Sequence, residues 1–256
     1  MIRLCWRSAR YQVLFLRRQP GNLLPLVNIP LFTAAFLAIT QHARRSDLAA
    51  YAVIGSGVIG IWSTSLYVSG EIIESERWLG TLEGIVATPA PLPIVVLGRI
   101  AAVTGISFVG LGESALVAWA CFGVRITVYH PVLFACTLAS AALAMIGTAT
   151  VMSGLFVLAR SVRTFQNSLS YPFYLLSGAV VPVALLPVWV RPLSRVVFLS
   201  WVSDLLRDSM RPGVAQRPGP RLGMVLALGA VGFAVGFWAI NRILHRMRHL
   251  GVVGQT

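Results

Sequence analysis

The feature that most constrains this chain is a succession of apolar stretches, each close to the roughly 20 residues a helix needs to cross a hydrocarbon core about 30 Å thick. They run from about Asn22 to Thr40, Leu48 to Gly70, Pro93 to Cys121, Pro131 to Ala159, Ser168 to Val190 and Leu222 to Ile240. With 57% hydrophobic and only 11% charged residues over 256 positions, no water-exposed surface could hold this composition, so a bilayer must solvate most of it. The expected fold is therefore an all-α integral membrane domain of about six spans occupying residues 1–256, with no room for a separate soluble domain.

The polar residues that remain are selective. All 21 basic residues are arginine and lysine is absent. A P-loop ATPase needs the lysine of its phosphate-binding loop, which reaches the terminal phosphates while the glycine-rich backbone cradles them. This chain cannot hydrolyse ATP that way. The net charge of +13 would suggest nucleic acid in a soluble protein. Here the arginines lie between or beside the apolar runs, where they meet lipid headgroups, and nucleic-acid binding is not expected.

Several segments depart from plain spans. Residues 2–18 put Ile2, Trp6, Ala9, Val13 and Leu16 on one helical face and Arg3, Arg7, Arg10 and Arg17 on another, the pattern of an interfacial helix. Those early arginines also argue against a cleavable signal peptide. The fifth apolar stretch contains Pro172, Gly178, Pro182 and Pro187, which makes a straight helix improbable and points to a broken or re-entrant, gate-like region before span six. It continues into an outer segment at 182–220 that alternates apolar residues with charges and ends at Arg217-Pro218-Gly219-Pro220. Arginine counts near the span ends favour an inside N-terminus and both termini cytosolic, although Arg191 to Arg221 add six arginines on the opposite side.

Residues 71–91 lie between spans two and three and read as a cytosolic amphipathic helix. Ile72, Leu79, Leu82, Ile85 and Val86 gather on one side, while Glu76, Arg77, Gly80, Glu83 and Gly84 gather on the other. Helices that float on membranes usually carry a basic polar face, but this segment has four glutamates and one arginine. An acidic face at a membrane surface fits a protein partner of complementary charge.

The run Glu71-Ile-Ile-Glu-Ser-Glu-Arg-Trp-Leu-Gly-Thr-Leu-Glu-Gly-Ile-Val-Ala-Thr-Pro89, followed by Leu97-Gly98-Arg99, resembles the cytosolic loop of ABC-2 type transporter permeases. Arg163, Asn167, Pro172, Leu176-Ser177-Gly178, Pro182, Leu186-Pro187-Val-Trp189 and Leu206-Arg207 are similar to that family's C-terminal signature in order and spacing. The resemblance implies a permease subunit that pairs with a second, identical or different, permease subunit and with two cytosolic ATPase subunits, which carry the ATP and Mg. It makes the segment from Ile72 to Val86 the coupling helix, with Glu74, Glu76, Arg77, Gly80, Thr81, Leu82 and Glu83 as the contact candidates. No cofactor is implied in this chain itself. The implied function is ATP-driven export of a hydrophobic or amphipathic substrate such as a drug, antibiotic, lipid or glycolipid, and the threonine-proline end of the loop leans toward drugs or antibiotics.

Glu113 is the one acidic residue well inside a span. It is either a substrate-pathway carboxylate or a protonated acid bonded to a neighbouring helix. His245 and His249 have i, i+4 spacing but lack the glutamate of a zinc-protease motif, so no metal site is expected. Cys121 and Cys136 read as small buried apolar residues rather than a disulfide. Gly55, Gly57, Gly60, Ala141, Ala144 and Gly147 read as close helix contacts. A non-transporting membrane scaffold or immunity protein is the main alternative, and an intramembrane enzyme is disfavoured because no catalytic motif is present. All-arginine usage hints at a GC-rich genome and a bacterial plasma membrane.

Overall fold

The protein is described from a computed structural model, which places residues 2–45, 48–78, 92–158, 162–213 and 217–250. Among the described residues every regular element is helical. The chain runs through α1 (Ile2–Arg18), a 3-10 turn (Pro20–Leu23), α2 (Leu24–His42), α3 (Ala49–Trp78), α4 (Leu92–Ser107) and α5 (Val109–Phe122). It continues through α6 (Pro131–Leu158), α7 (Val162–Leu176), a short 3-10 turn (Val183–Leu185), α8 (Arg191–Val196), α9 (Phe198–Ser209) and α10 (Pro218–Leu250).

Among the described residues, five stretches are long and apolar enough to cross a membrane: α2, Ala49–Gly70 of α3, Ile94–Phe122 across α4 and α5, Pro131–Leu155 of α6 and Pro218–Arg242 of α10. The fifth stretch read from the sequence is not among them. Its helix, α7, has 15 residues, about 22 Å of rise against a core of about 30 Å. Pro172 lies inside this helix rather than ending it, and the chain turns only after Leu176.

The centre of the bundle is α3. Of its spanning window 89% is buried, against 22% for α2 and for α10, which therefore lie at the periphery. It touches α2, α4, α5, α6, α7 and α9. Small residues let it do so: a Cβ on Gly57 would sit 2.3 Å from Leu111 Cδ2, and one on Gly60 would sit 2.1 Å from Ile29 Cδ1. Three buried hydroxyls tie α2, α3 and α5 together. Thr33 Oγ1 donates to Ser56 Oγ at 2.8 Å, and Ser114 Oγ lies 3.1 Å from Thr33 and 3.2 Å from Ser56. In lipid such polar contacts hold helices where the hydrophobic effect cannot.

A second seam joins α6 to α10. A Cβ added to Gly147 would stand 2.4 Å from the Gly229 carbonyl oxygen, and one on Gly229 would stand 2.6 Å from Ala144 Cα. The two backbones are as close as glycine allows. Cys121 and Cys136 are free and exposed, which corrects the expectation that they are buried. Each lies on a span whose outer surface a bilayer would cover.

The helix α1 packs along α4 through a face that overlaps its apolar pattern at Leu16. Ser8, Gln12 and Leu16 are buried at i, i+4, i+8, whereas Trp6 is 72% exposed. Ser8 and Gln12 dock on the protein together with Leu16, while Trp6 at the other edge of the stripe is left for lipid. Gly98 permits the contact, since a Cβ there would lie 2.4 Å from the Cys5 carbonyl oxygen. Arg99 is 3% exposed, donates from Nε to Gln12 Oε1 at 2.7 Å and lies 5.3 Å from the Tyr11 ring centroid.

Candidate functional site

Two features stand out, one at the middle of α3 and one at its N-terminal end. The first is a cleft of about 490 Å³ whose walls are α2 and α7 and whose floor is α3. The α2 wall contributes Asn28 and Phe32, the floor Ser63 and Tyr67, and the α7 wall Asn167, Ser170, Tyr171 and Tyr174. Each helix presents these residues at spacings of three or four, so they align on one face. Trp62, one position from Ser63, stacks on Phe173 at 4.1 Å between centroids and fixes the floor against the far wall. Gln166 Nε2 reinforces that joint by donating to the carbonyls of Leu66 at 3.1 Å and Tyr67 at 3.2 Å. Inside the cleft the Tyr67 hydroxyl donates to Asn167 Oδ1.

The second feature is the turn after α7. Gly178 has φ +70, in the left-handed region where a side chain is strained. Its carbonyl oxygen accepts from the Tyr51 hydroxyl at 2.7 Å and from Arg207 Nη2 at 2.8 Å. The Arg207 guanidinium carbon also sits 3.4 Å from the Tyr51 ring centroid, and Nη1 lies 3.6 Å from Asp204. A Cβ on Gly55 would approach the Ala179 carbonyl oxygen to 2.3 Å, so the turn rests directly on α3. Burial pulls the Arg207 pKa down while the nearby Tyr51 and Asp204 raise it. Its ordinary value is high enough that it stays charged.

This clamp and two neighbouring contacts account for part of the arginine excess in the 191–221 connector. Arg207 bonds to Gly178, Arg221 pairs with Asp208 at 2.7 Å and Arg191 Nε donates to the Leu186 carbonyl at 3.0 Å. These side chains hold the fold, so they are poor indicators of which side of the membrane they face.

The residues singled out from the sequence are distributed unevenly over these features. Gly178 is at the heart of the clamp, while Pro182 and Pro187 shape the chain between it and α8. The Pro182 carbonyl accepts from Leu185 N at 2.9 Å, and the Pro187 carbonyl from Val190 N at 2.9 Å. Pro172 lies on α7, one position from the cleft residue Tyr171. Glu113 is half-buried on α5 and is not a cleft residue; its Oε2 is buried without a hydrogen-bond partner among the described residues. Glu74, Glu76 and Arg77 lie on the backbone of the last turns of α3, while Gly80, Thr81, Leu82 and Glu83 fall outside the described residues. Sequence reasoning missed Tyr51, Tyr67, Tyr171 and Tyr174. Tyrosines inside apolar stretches were the available signal.

One boundary read from the sequence shifts. The apolar pattern separated span two from the next segment at Gly70, but α3 is continuous through Gly70 to Trp78. No proline interrupts it. Ile72 is 2% exposed and packs with Val96, Ile100, Ala149 and Ile240, which pins the extension to the bundle.

The family model for the ABC-2 type transporter matches residues 3–210, most of the chain and both of these features. The chain belongs to the ABC-2 type transporter family. A comparison with curated proteins finds no match. As an ABC-2 transporter it is a multi-pass membrane transport component rather than a catalyst, and the family implies an ABC transporter context with ATPase partners. In this ABC-2 chain the matched range includes α1, the cleft and the Gly178 clamp, and ends one residue after α9.

Proposed function

We propose that this chain is the permease subunit of an ATP-driven exporter in a bacterial plasma membrane, with both termini cytosolic. It works with a second permease subunit and two cytosolic ATPase subunits. The observation that carries this reading is the continuity of α3, which forms the cleft floor at Ser63 and Tyr67 and then runs unbroken to Trp78, into the acidic segment at 71–91. From Tyr67 to Arg77 is about 15 Å of helix. Movement of an ATPase docked on that segment would reach the cleft along one rigid element.

In this mechanism ATP closes the paired ATPases, the docked segments move, and the spans shift between inward-open and outward-open arrangements around the substrate. ATP supplies the free-energy difference between states. The clamp at Gly178 holds the opposite end of α3, where the cleft does not reach, and serves as the outer gate. Pro172, Pro182 and Pro187 shape the path of the chain on either side of it.

The test has two arms. Charge reversal of Glu76 and Glu83 to arginine should abolish co-purification of the ATPase and ATP-driven substrate movement into vesicles. Gly70→Pro breaks α3 between the cleft and the segment. It should leave the ATPase attached while transport is lost. Full transport in both variants would reject the reading and favour a non-transporting scaffold.

A further inference from the structure

We infer, resting on the permease reading, that the cleft between α2 and α7 takes planar aromatic amphiphiles that carry no negative charge. The argument begins with the residues that line it. Phe32, Tyr67, Tyr171 and Tyr174 supply four rings, and the polar groups beside them are neutral amides and hydroxyls such as Asn28 and Asn167. In a chain with 21 arginines, none of the cleft residues is charged among the described residues.

That lack of charge is selective. A phosphate or carboxylate withdrawn from water needs a cation or several strong donors to offset its lost hydration, and arginine is the usual answer. Among the described residues the cleft offers no such cation, so phosphate-bearing lipid carriers and acidic glycans fit it poorly. Aromatic faces carry negative charge density and stack on flat rings or on delocalised cations. Because Tyr67 occupies Asn167 Oδ1, the Asn167 amide N–H groups remain to meet a carbonyl or hydroxyl on the ligand. The volume of about 490 Å³ also suits one drug-sized molecule.

The experiment uses the full chain in lipid nanodiscs without its ATPase and two dyes built on the same xanthene ring, rhodamine 6G as the cation and fluorescein as the anion. Fluorescence polarisation should show saturable rhodamine 6G binding, weakened about 3- to 10-fold by Tyr67→Ala and by Tyr171→Ala, as expected for loss of one ring contact. Fluorescein should show no saturable binding that either variant alters. Asn28→Arg should reverse the preference, a gain that a misfolded protein cannot produce. Saturable fluorescein binding that depends on the tyrosines would overturn the inference. So would rhodamine 6G binding that is unsaturable or indifferent to all three variants. ATP-driven transport with the ATPase is measured separately: dye binding without transport keeps the cleft chemistry and rejects the permease, whereas transport of anions with no rhodamine 6G binding does the reverse.

Discussion

Replacing Arg207 by methionine keeps the apolar stem of the side chain and removes the charged guanidinium. The loss includes one charge-assisted hydrogen bond to the Gly178 carbonyl at 2.8 Å, about 1.5–3 kcal/mol. It also includes the guanidinium stacked 3.4 Å from the Tyr51 ring, about 1–2 kcal/mol. Asp204 is 51% exposed, so its pairing adds about 0.5 kcal/mol or less. Against these stands the desolvation cost of a buried guanidinium, which methionine does not carry. The net destabilisation should be about 2 kcal/mol.

Tyr51→Phe removes the other donor to the same oxygen and should cost about 1 kcal/mol. Either variant alone leaves the Gly178 carbonyl with one partner. The double variant leaves it buried with neither, so its cost should exceed the sum of the two by about 1–3 kcal/mol. The measurement is reversible unfolding in mixed detergent micelles, followed by the fluorescence of the seven tryptophans. Additivity within about 0.5 kcal/mol would mean the two donors do not share one acceptor. A stabilising Arg207→Met would mean desolvation outweighs the clamp.

Two further substitutions probe the rest of the bundle. Gly229→Ala places a methyl 2.6 Å from Ala144 Cα; it should force α6 and α10 apart, cost about 1–3 kcal/mol and lower the folded yield on gel filtration, and a wild-type yield and melting temperature would show that the two helices have room to spare. Glu113→Gln should leave rhodamine 6G affinity within about twofold because the residue is away from the cleft, and a tenfold loss in the polarisation assay would return that carboxyl to the substrate pathway.

Hydrophobicity made most spans legible, because a run of about 20 apolar residues has few other fates. Over Ser168–Val190, which the prolines mark as a broken or re-entrant segment, hydrophobicity alone does not show where the chain turns; the helix there has 15 residues and ends at Leu176. Hydrophobicity also set a boundary at Gly70, since charge appears there, although glutamate and serine continue a helix well. For α1, amphipathicity located the helix but only the Leu16 edge of its docking face. In a membrane the apolar stripe has lipid available to it, so polar and small residues such as Gln12 and Ser8 are free to choose the protein contact. The Leu97-Gly98-Arg99 motif was visible as a family likeness. Its physical roles, room for the Cys5 carbonyl and a bond to Gln12, needed the neighbouring helix in place.

The cleft and the clamp were the least legible because each assembles residues distant in sequence. Gly178 was singled out for its conformation and Arg207 for its place in a signature, yet they stand 29 positions apart and meet on one oxygen. Tyr67 and Asn167 stand 100 positions apart. Periodicity within one segment carries no information about such pairs.

The exposure of the cleft's amides has a consequence for the cell as well as for the substrate. Asn28 and Asn167 are both exposed along the cleft, and acyl chains, which can neither donate nor accept a hydrogen bond, would leave their amide N–H groups unsatisfied. If the proposed second permease subunit covers these amides, a copy made without it would carry unsatisfied donors into the hydrocarbon, a cost that favours assembly over the solitary state.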